Sequence, residues 1–214
     1  MLAINQWPRK SLFGLLIALV AALAYLSGIN ASFVAEDFSI IQLGSNQTFE
    51  QLTEFILTSA RFRPTYYGLS WLEVQLFGTT PTGYHLFGLV LHLFIVLGVL
   101  NFTFGLTKNW WSAGVAVFLY AIYPRGHQAV IWMAANQLLL VTLFSLICCY
   151  TFKRYLDTGK RRWLIGAVIG LGLALMSHEV GITLVVLLPC IELMERNDLH
   201  ILRKPLFYRK YLVY

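Results

Sequence analysis

Thr79–Lys108 reads TTPTGYHLFGLVLHLFIVLGVLNFTFGLTK. From Tyr84 to Leu106 it carries no formal charge, and as a helix it is long enough to cross the roughly 30 Å hydrocarbon core of a bilayer. Thr80 is a candidate N-cap, with Pro81 at the first helical position and a turn cluster over Gly78–Gly83. Working outward, the runs Ser11–Gly28, Trp110–Tyr123, Val130–Tyr150, Trp163–Met176 and Gly181–Leu193 repeat the apolar pattern. Three of them, Trp110–Tyr123, Trp163–Met176 and Gly181–Leu193, are short on apolar residues alone, and such spans extend with polar ends inside a bundle. The expected fold is all-α: a polytopic transmembrane helical bundle of about six spans, with residues 1–214 forming a single transmembrane domain.

Composition agrees with that reading. Of 214 residues 58% are hydrophobic and only 12% charged, at a mean hydropathy of +0.67, which excludes an ordinary soluble domain. The net charge of +6 does not point to nucleic acid, because the basic residues sit at the ends of apolar runs beside Tyr and Trp anchors. Cys148, Cys149 and Cys190 lie inside apolar runs and imply no disulfide framework. The run after Arg9-Lys10 is long for a signal-peptide core and lacks a clear small-x-small cleavage site, so it reads as an uncleaved first span.

Charge sets the expected orientation. With the N-terminus in the cytoplasm and the spans alternating, thirteen of the sixteen basic residues fall inside, leaving Arg61, Arg63 and Arg125 outside. Six of the ten acids also fall outside: Glu36, Asp37, Glu50, Glu54, Glu73 and Glu179.

The first outside loop has structure of its own. Thr48 and Gln51 have capping-box spacing, and Phe49, Leu52, Phe55 and Ile56 recur at helical intervals opposite Glu50 and Glu54. After Pro64 a stripe of Thr65, Leu69, Leu72 and Leu76 leaves Trp71 and Glu73 off its apolar face. Both segments read as amphipathic juxtamembrane helices lying at the membrane surface.

The ionisable residues between Gly28 and His92 suggest an active-site rim. Asp37, with Glu36 beside it, is the candidate general base, because a carboxylate near a low-dielectric surface becomes a stronger proton acceptor; the same pair also reads as solvation of a loop. Arg61 and Arg63 suit an anionic lipid headgroup, and equally suit interfacial snorkelling. His85 stands at the mouth of its apolar run, while His92, seven residues on, reads as a neutral interhelical hydrogen-bonder. Arg125, His127, His178 and Glu179 return to the same face in two short loops. They suit substrate binding, or a divalent metal together with the acidic pair, although no ligand spacing defines a metal site. Gly166 and Gly170 form a small-xxx-small pair expected to pack helices, and Pro189 is expected to be a tolerated kink.

Three stretches carry a family resemblance. They are FVAEDFSII, FRPTYYGLSWLEVQLFGTTPTGYHLFGLVLHLF, and YAIYPRGHQAVIWMAANQLLL with the later LMSHEVGITLVVLL. Together they resemble the polytopic C-type glycosyltransferases that use lipid-phosphate-linked sugars, and most closely the protein O-mannosyltransferase-like branch. That resemblance implies that Asp37 deprotonates the acceptor. Many relatives carry Asp where this chain has Glu36, and Lys is more usual at His178. The family typically has eleven or more spans, so the resemblance implies that this chain is an N-terminal module.

The expected reaction moves a sugar, with mannose the first candidate, from a polyprenyl phosphate to an acceptor hydroxyl on a protein or glycan at the non-cytoplasmic face. Asp37 and Glu36 are the expected catalytic pair. Arg61, Arg63, His85, Arg125, His127 and Glu179 are the expected substrate contacts. A transporter or flippase, and a non-catalytic membrane subunit, are the competing classes. The charges crowd one rim rather than the bilayer midplane, which favours the enzyme.

Overall fold

The computed structural model describes residues 7–196. Among them the chain forms helices and no strand: α1 (Trp7–Tyr25), α2 (Asp37–Asn46), α3 (Phe49–Thr58), α4 (Pro64–Phe77), α5 (Pro81–Thr107), α6 (Trp110–Ala121), α7 (Pro124–Ile131), α8 (Asn136–Thr158), α9 (Arg161–Ser177) and α10 (Leu184–Arg196). Short 3-10 turns follow α1 and precede α8 and α10. The basic tail that contains Arg203, Lys204, Arg209 and Lys210 lies outside the described residues.

α5 is the axis of the bundle. One of its sides packs with α1 and α6 through Ile17, Ala21, Val96, Leu100, Ala113 and Val117. Another meets α7 and α8 through Leu89, Ile95, Val130 and Leu139. α8 and α9 form a tight hairpin, and the two glycines expected to pack helices explain it. A Cβ at Gly170 would stand 2.9 Å from the Cys148 backbone nitrogen, and one at Gly166 would stand 3.1 Å from Thr151 Cγ2. Bare backbone is what lets these helices approach. At the far end Lys153, buried on α8, pairs with Asp157 at 3.1 Å and reaches Glu195 of α10 at 3.2 Å.

Two helices, Pro81–Thr107 and the continuous stretch Met133–Thr158, are long and apolar enough to cross a membrane; Gly14–Gly28 and Trp110–Ala121 are shorter apolar helices. All six expected runs fold as helices, but their bounds need two corrections. The run assigned to Val130–Tyr150 breaks at Trp132, whose backbone is extended (ψ 108°), and α8 starts only at Asn136. The supposed short loop Pro124–Gln128 is itself part of α7, started by Pro124 at its first turn.

The two helices expected in the first outside loop both form. α3 begins with the capping box read from sequence: Thr48 Oγ1 accepts from Gln51 N at 3.4 Å, and Thr48 N donates to Gln51 Oε1 at 2.9 Å. α4 buries Tyr66, Ser70, Glu73 and Val74, whereas Leu72 and Leu76, of the stripe expected at the membrane surface, are 47% and 66% exposed. Its polar side faces the protein because the partners it meets there are polar, as described next. α2 is a helix the sequence did not announce, since Asp37 opens it and no capping side chain precedes it.

Candidate functional site

The C-terminal end of α9, the N-terminal ends of α5 and α8, and helices α2 and α4 converge on one end of the bundle. The segment 134–137 is its hub. Asp37 is almost completely buried, at 1% exposure, and both its oxygens are held by main-chain donors. Ala134 N donates to Oδ1 at 2.9 Å and Val34 N donates to Oδ2 at 3.1 Å. Burial pushes the Asp37 carboxyl above its ordinary value, against the pull of those two N–H bonds and of nearby His85, while Glu36 adds a small upward push. Ala35 stands just before the pair at φ +45°, a left-handed conformation that is costly for a residue with a Cβ. Glu36 itself is exposed.

Arg63 is buried and committed. Its guanidinium forks onto Glu179, with Nε 3.0 Å from Oε2 and Nη2 2.6 Å from Oε1, and it also donates to Gln137 Oε1. The ion pair ties the start of α4 to the turn after α9, and it holds the exposed Glu179 carboxyl down at about 2. His178 lies beside them, its imidazole pushed down by burial and then by Arg63. Arg61 is exposed and also bears electrostatically on His178. His85 is fully buried, with Nδ1 2.9 Å from Ile29 O and Nε2 without a partner.

His127 sits elsewhere, in an aromatic column. Its ring stacks on Tyr25 at 5.8 Å, Tyr25 meets His92 edge-on at 4.8 Å, and His92 stacks on Tyr120 at 5.5 Å. Among the described residues no group of three or more His, Cys, Asp or Glu is arranged to hold a metal ion, so the imagined cluster of His127, His178, Glu179 and the acidic pair does not assemble. Arg125 lies on α7, and its side chain lies outside what is described.

Sequence reasoning passed over several members of this end. Tyr66 donates to Ala134 O at 3.3 Å, Gln137 Nε2 donates to the same oxygen at 3.0 Å, and Asn136 Nδ2 donates to Glu73 Oε1 at 3.3 Å. One signal was available: Glu73 is the only formal charge between Arg63 and Lys108. An acid isolated in so apolar a stretch is costly unless something near it is polar.

The profile of the family described as dolichyl-phosphate-mannose-protein mannosyltransferase matches residues 64–214. The match begins at Pro64, so Asp37, Glu36, Arg61 and Arg63 lie upstream of it, whereas Glu73, His85, Arg125, His127 and Glu179 lie within it. No curated protein and no solved structure matches the chain.

Proposed function

The chain belongs to the dolichyl-phosphate-mannose-protein mannosyltransferase family, and from that premise we propose that it serves the transfer of a sugar, mannose first, from a polyprenyl phosphate to an acceptor hydroxyl at the non-cytoplasmic face. The family match over residues 64–214 is the observation that carries the reading. A supporting one is the gathering of Asp37, Arg63, His85 and Glu179 at a single end of an apolar bundle, with Lys108, Lys160 and Arg161 at the other. The six apolar helices α1, α5, α6, α8, α9 and α10 then serve as spans, with the N-terminus in the cytoplasm. Outward-facing Leu19, Phe94, Leu119, Ile165 and Val186 meet acyl chains.

In this mechanism the acceptor oxygen attacks the anomeric carbon, the bond from that carbon to the phosphate oxygen breaks, and the centre inverts. The acceptor proton passes to Asp37, whose raised basicity suits the task. The polyprenyl phosphate leaves with the electron pair, and a guanidinium stabilises the developing charge. Arg63 can do this only by exchanging the Glu179 carboxylate for the phosphate, since one fork cannot hold both. Asp37 is reached only when the surface over it opens, because it is buried with both oxygens engaged.

The test is transfer of radiolabelled mannose from a short-chain polyprenyl phosphate by membranes containing the chain and any continuation its gene encodes. Glu179→Gln removes the competing charge and should tighten apparent donor affinity by about three- to tenfold. Unchanged or weaker donor affinity would mean that the phosphate binds away from Arg63. No transfer from any lipid-phosphate sugar would leave the chain a non-catalytic family member.

A further inference from the structure

Glu73 has no part in that mechanism, yet it is buried as fully as Asp37. Its side chain and that of Asn136 are each 1% exposed, and Asn136 Nδ2 donates to Glu73 Oε1 at 3.3 Å. The two remaining polar atoms of the pair, Glu73 Oε2 and Asn136 Oδ1, are both buried without a partner. An ionised carboxylate accepts only, and so does an amide oxygen, so an ionised Glu73 leaves two buried acceptors and an unpaired charge. A single proton on Oε2 turns that oxygen into a donor for the amide oxygen. The acid and the amide then close a ring of two hydrogen bonds, and the charge disappears.

The surroundings offer the charge no other compensation. The ionisable groups that face Glu73 are the phenols of Tyr66 on its own helix and Tyr84 on α5, with Asp37 beyond Tyr66; among the described residues no cation does so. α8 presents only the Asn136 amide, which α5 approaches through Gly88, where a Cβ would stand 3.4 Å from Asn136 Oδ1. Burial accordingly pushes the Glu73 carboxyl from 4.5 up to about 8.

We propose that Glu73 is a positioning residue held as a neutral acid, locked to Asn136 by two reciprocal hydrogen bonds that join α4 to the first turn of α8. The lock acts on the hub itself. Asn136 lies between Ala134, whose N–H holds Asp37, and Gln137, which accepts from Arg63. The backbone breaks just upstream, at Trp132, so this segment is not carried by a continuous helix from α7. The acid–amide ring fixes it from the α4 side.

The pair predicts an unusual mutational pattern. Glu73→Gln replaces a neutral acid by a neutral amide of the same shape, and two primary amides close the same ring. It should keep the fold and the function, whereas Glu73→Leu, which leaves the Asn136 amide unpaired, should lower transfer about tenfold or more. A positioning role through a carboxylate charge would make Gln the damaging change.

Three readouts on the full chain in lipid nanodiscs test the lock. The infrared spectrum near neutral pH should show a protonated-carboxyl carbonyl band that Glu73→Gln removes. An acid whose folded pKa is raised contributes stability that is complete below its unfolded value and lost as pH rises through the folded one. Melting temperature in the wild type should therefore fall, relative to Glu73→Gln, between 4.5 and about 8 and run parallel above. Mannose transfer should be alike in the two proteins near neutrality and fall in the wild type alone at about pH 9.5.

The transfer readout rests on the glycosyltransferase reading; the infrared and melting readouts do not. If the band and slope appear without transfer, only the reading of function fails. An absent band, a melting difference that ignores pH, or a folded Glu73→Gln variant inactive at neutral pH would overturn the lock.

Discussion

An acid beside an apolar run was legible at Asp37, but its surroundings were not. Its Oδ1 partner, Ala134 N, is 97 residues away, and no local pattern announces a bond that the turn before α8 delivers from another part of the fold. Arg63 is similar: the guanidinium was visible, and its engagement with Glu179, 116 residues on, was not. These bonds sharpen what substitution at Asp37 does. An Asn there offers one acceptor oxygen where the carboxylate offers two, so one backbone N–H, of Val34 or Ala134, faces an NH₂ group. Leaving a buried donor unpaired costs about 1–3 kcal/mol, so Asp37→Asn should melt earlier than the wild type. As loss of a general base it should also cut turnover about 10²–10⁴-fold. Turnover and melting measured on one preparation, with turnover read well below the lowered melting point, separate the two effects. A turnover deficit that vanishes on cooling would make Asp37 scaffold alone. The wild-type pH profile supplies a second check. A base must be ionised, so with the carboxyl raised by burial the acid limb of turnover should lie above the ordinary 3.8.

Helices with a long apolar period were readable, and those defined by contacts were not. α5 has a continuous apolar sequence, and its structural range encloses the expected one. α2 and α7 are short, ten and eight residues, and their placement depends on the packing of Gly44 on Val74 and of Gly28 on Ile131 rather than on propensity. α4 was found with Leu72 and Leu76 on its outer side, but the face it turns to the protein, with Tyr66, Ser70 and Glu73, was not foreseen. A chain whose outer surface meets lipid has no reason to hide leucine first. The hairpin of α8 and α9 gives the cleanest energetic test. A Cβ at Gly170 meets backbone atoms of Cys148 at 2.9 and 3.0 Å, which cannot swing aside as a side chain would, while one at Gly172 meets nothing within 4 Å. Gly170→Ala should destabilise by about 1–3 kcal/mol through forced separation of the helices. Gly172→Ala, on the same helix, should stabilise by up to about 1 kcal/mol through helix propensity. Thermal unfolding of both in one detergent gives the comparison. Equal effects at the two positions would mean that the hairpin tolerates separation and that Gly170 does not set its spacing.

At the scale of the whole molecule the expectation rests on charge. Helix ends alternate: α1, α6 and α9 finish, and α5, α8 and α10 start, at the end that carries Asp37 and Arg63. The opposite end carries Lys108, Arg154, Lys160, Arg161 and Arg162, which the positive-inside rule puts in the cytoplasm. Thr79, exposed in the turn between α4 and α5, and Lys160, exposed between α8 and α9, report on the two ends without burdening the core. Gly126 on α7 is a poor reporter, because a Cβ there would stand 2.7 Å from the Tyr25 hydroxyl. The background replaces Cys148 and Cys149, which are buried, and Cys190, which is exposed. In right-side-out membranes Thr79→Cys should react with an impermeant maleimide before permeabilisation, and Lys160→Cys only after it. The reverse pattern would put the Asp37 end in the cytoplasm and refute the proposed face of transfer. Labelling of both positions in intact membranes would break the alternation itself, because α5, α6 and α8 separate Thr79 from Lys160, and one side reaches both only if at least one of the three does not cross.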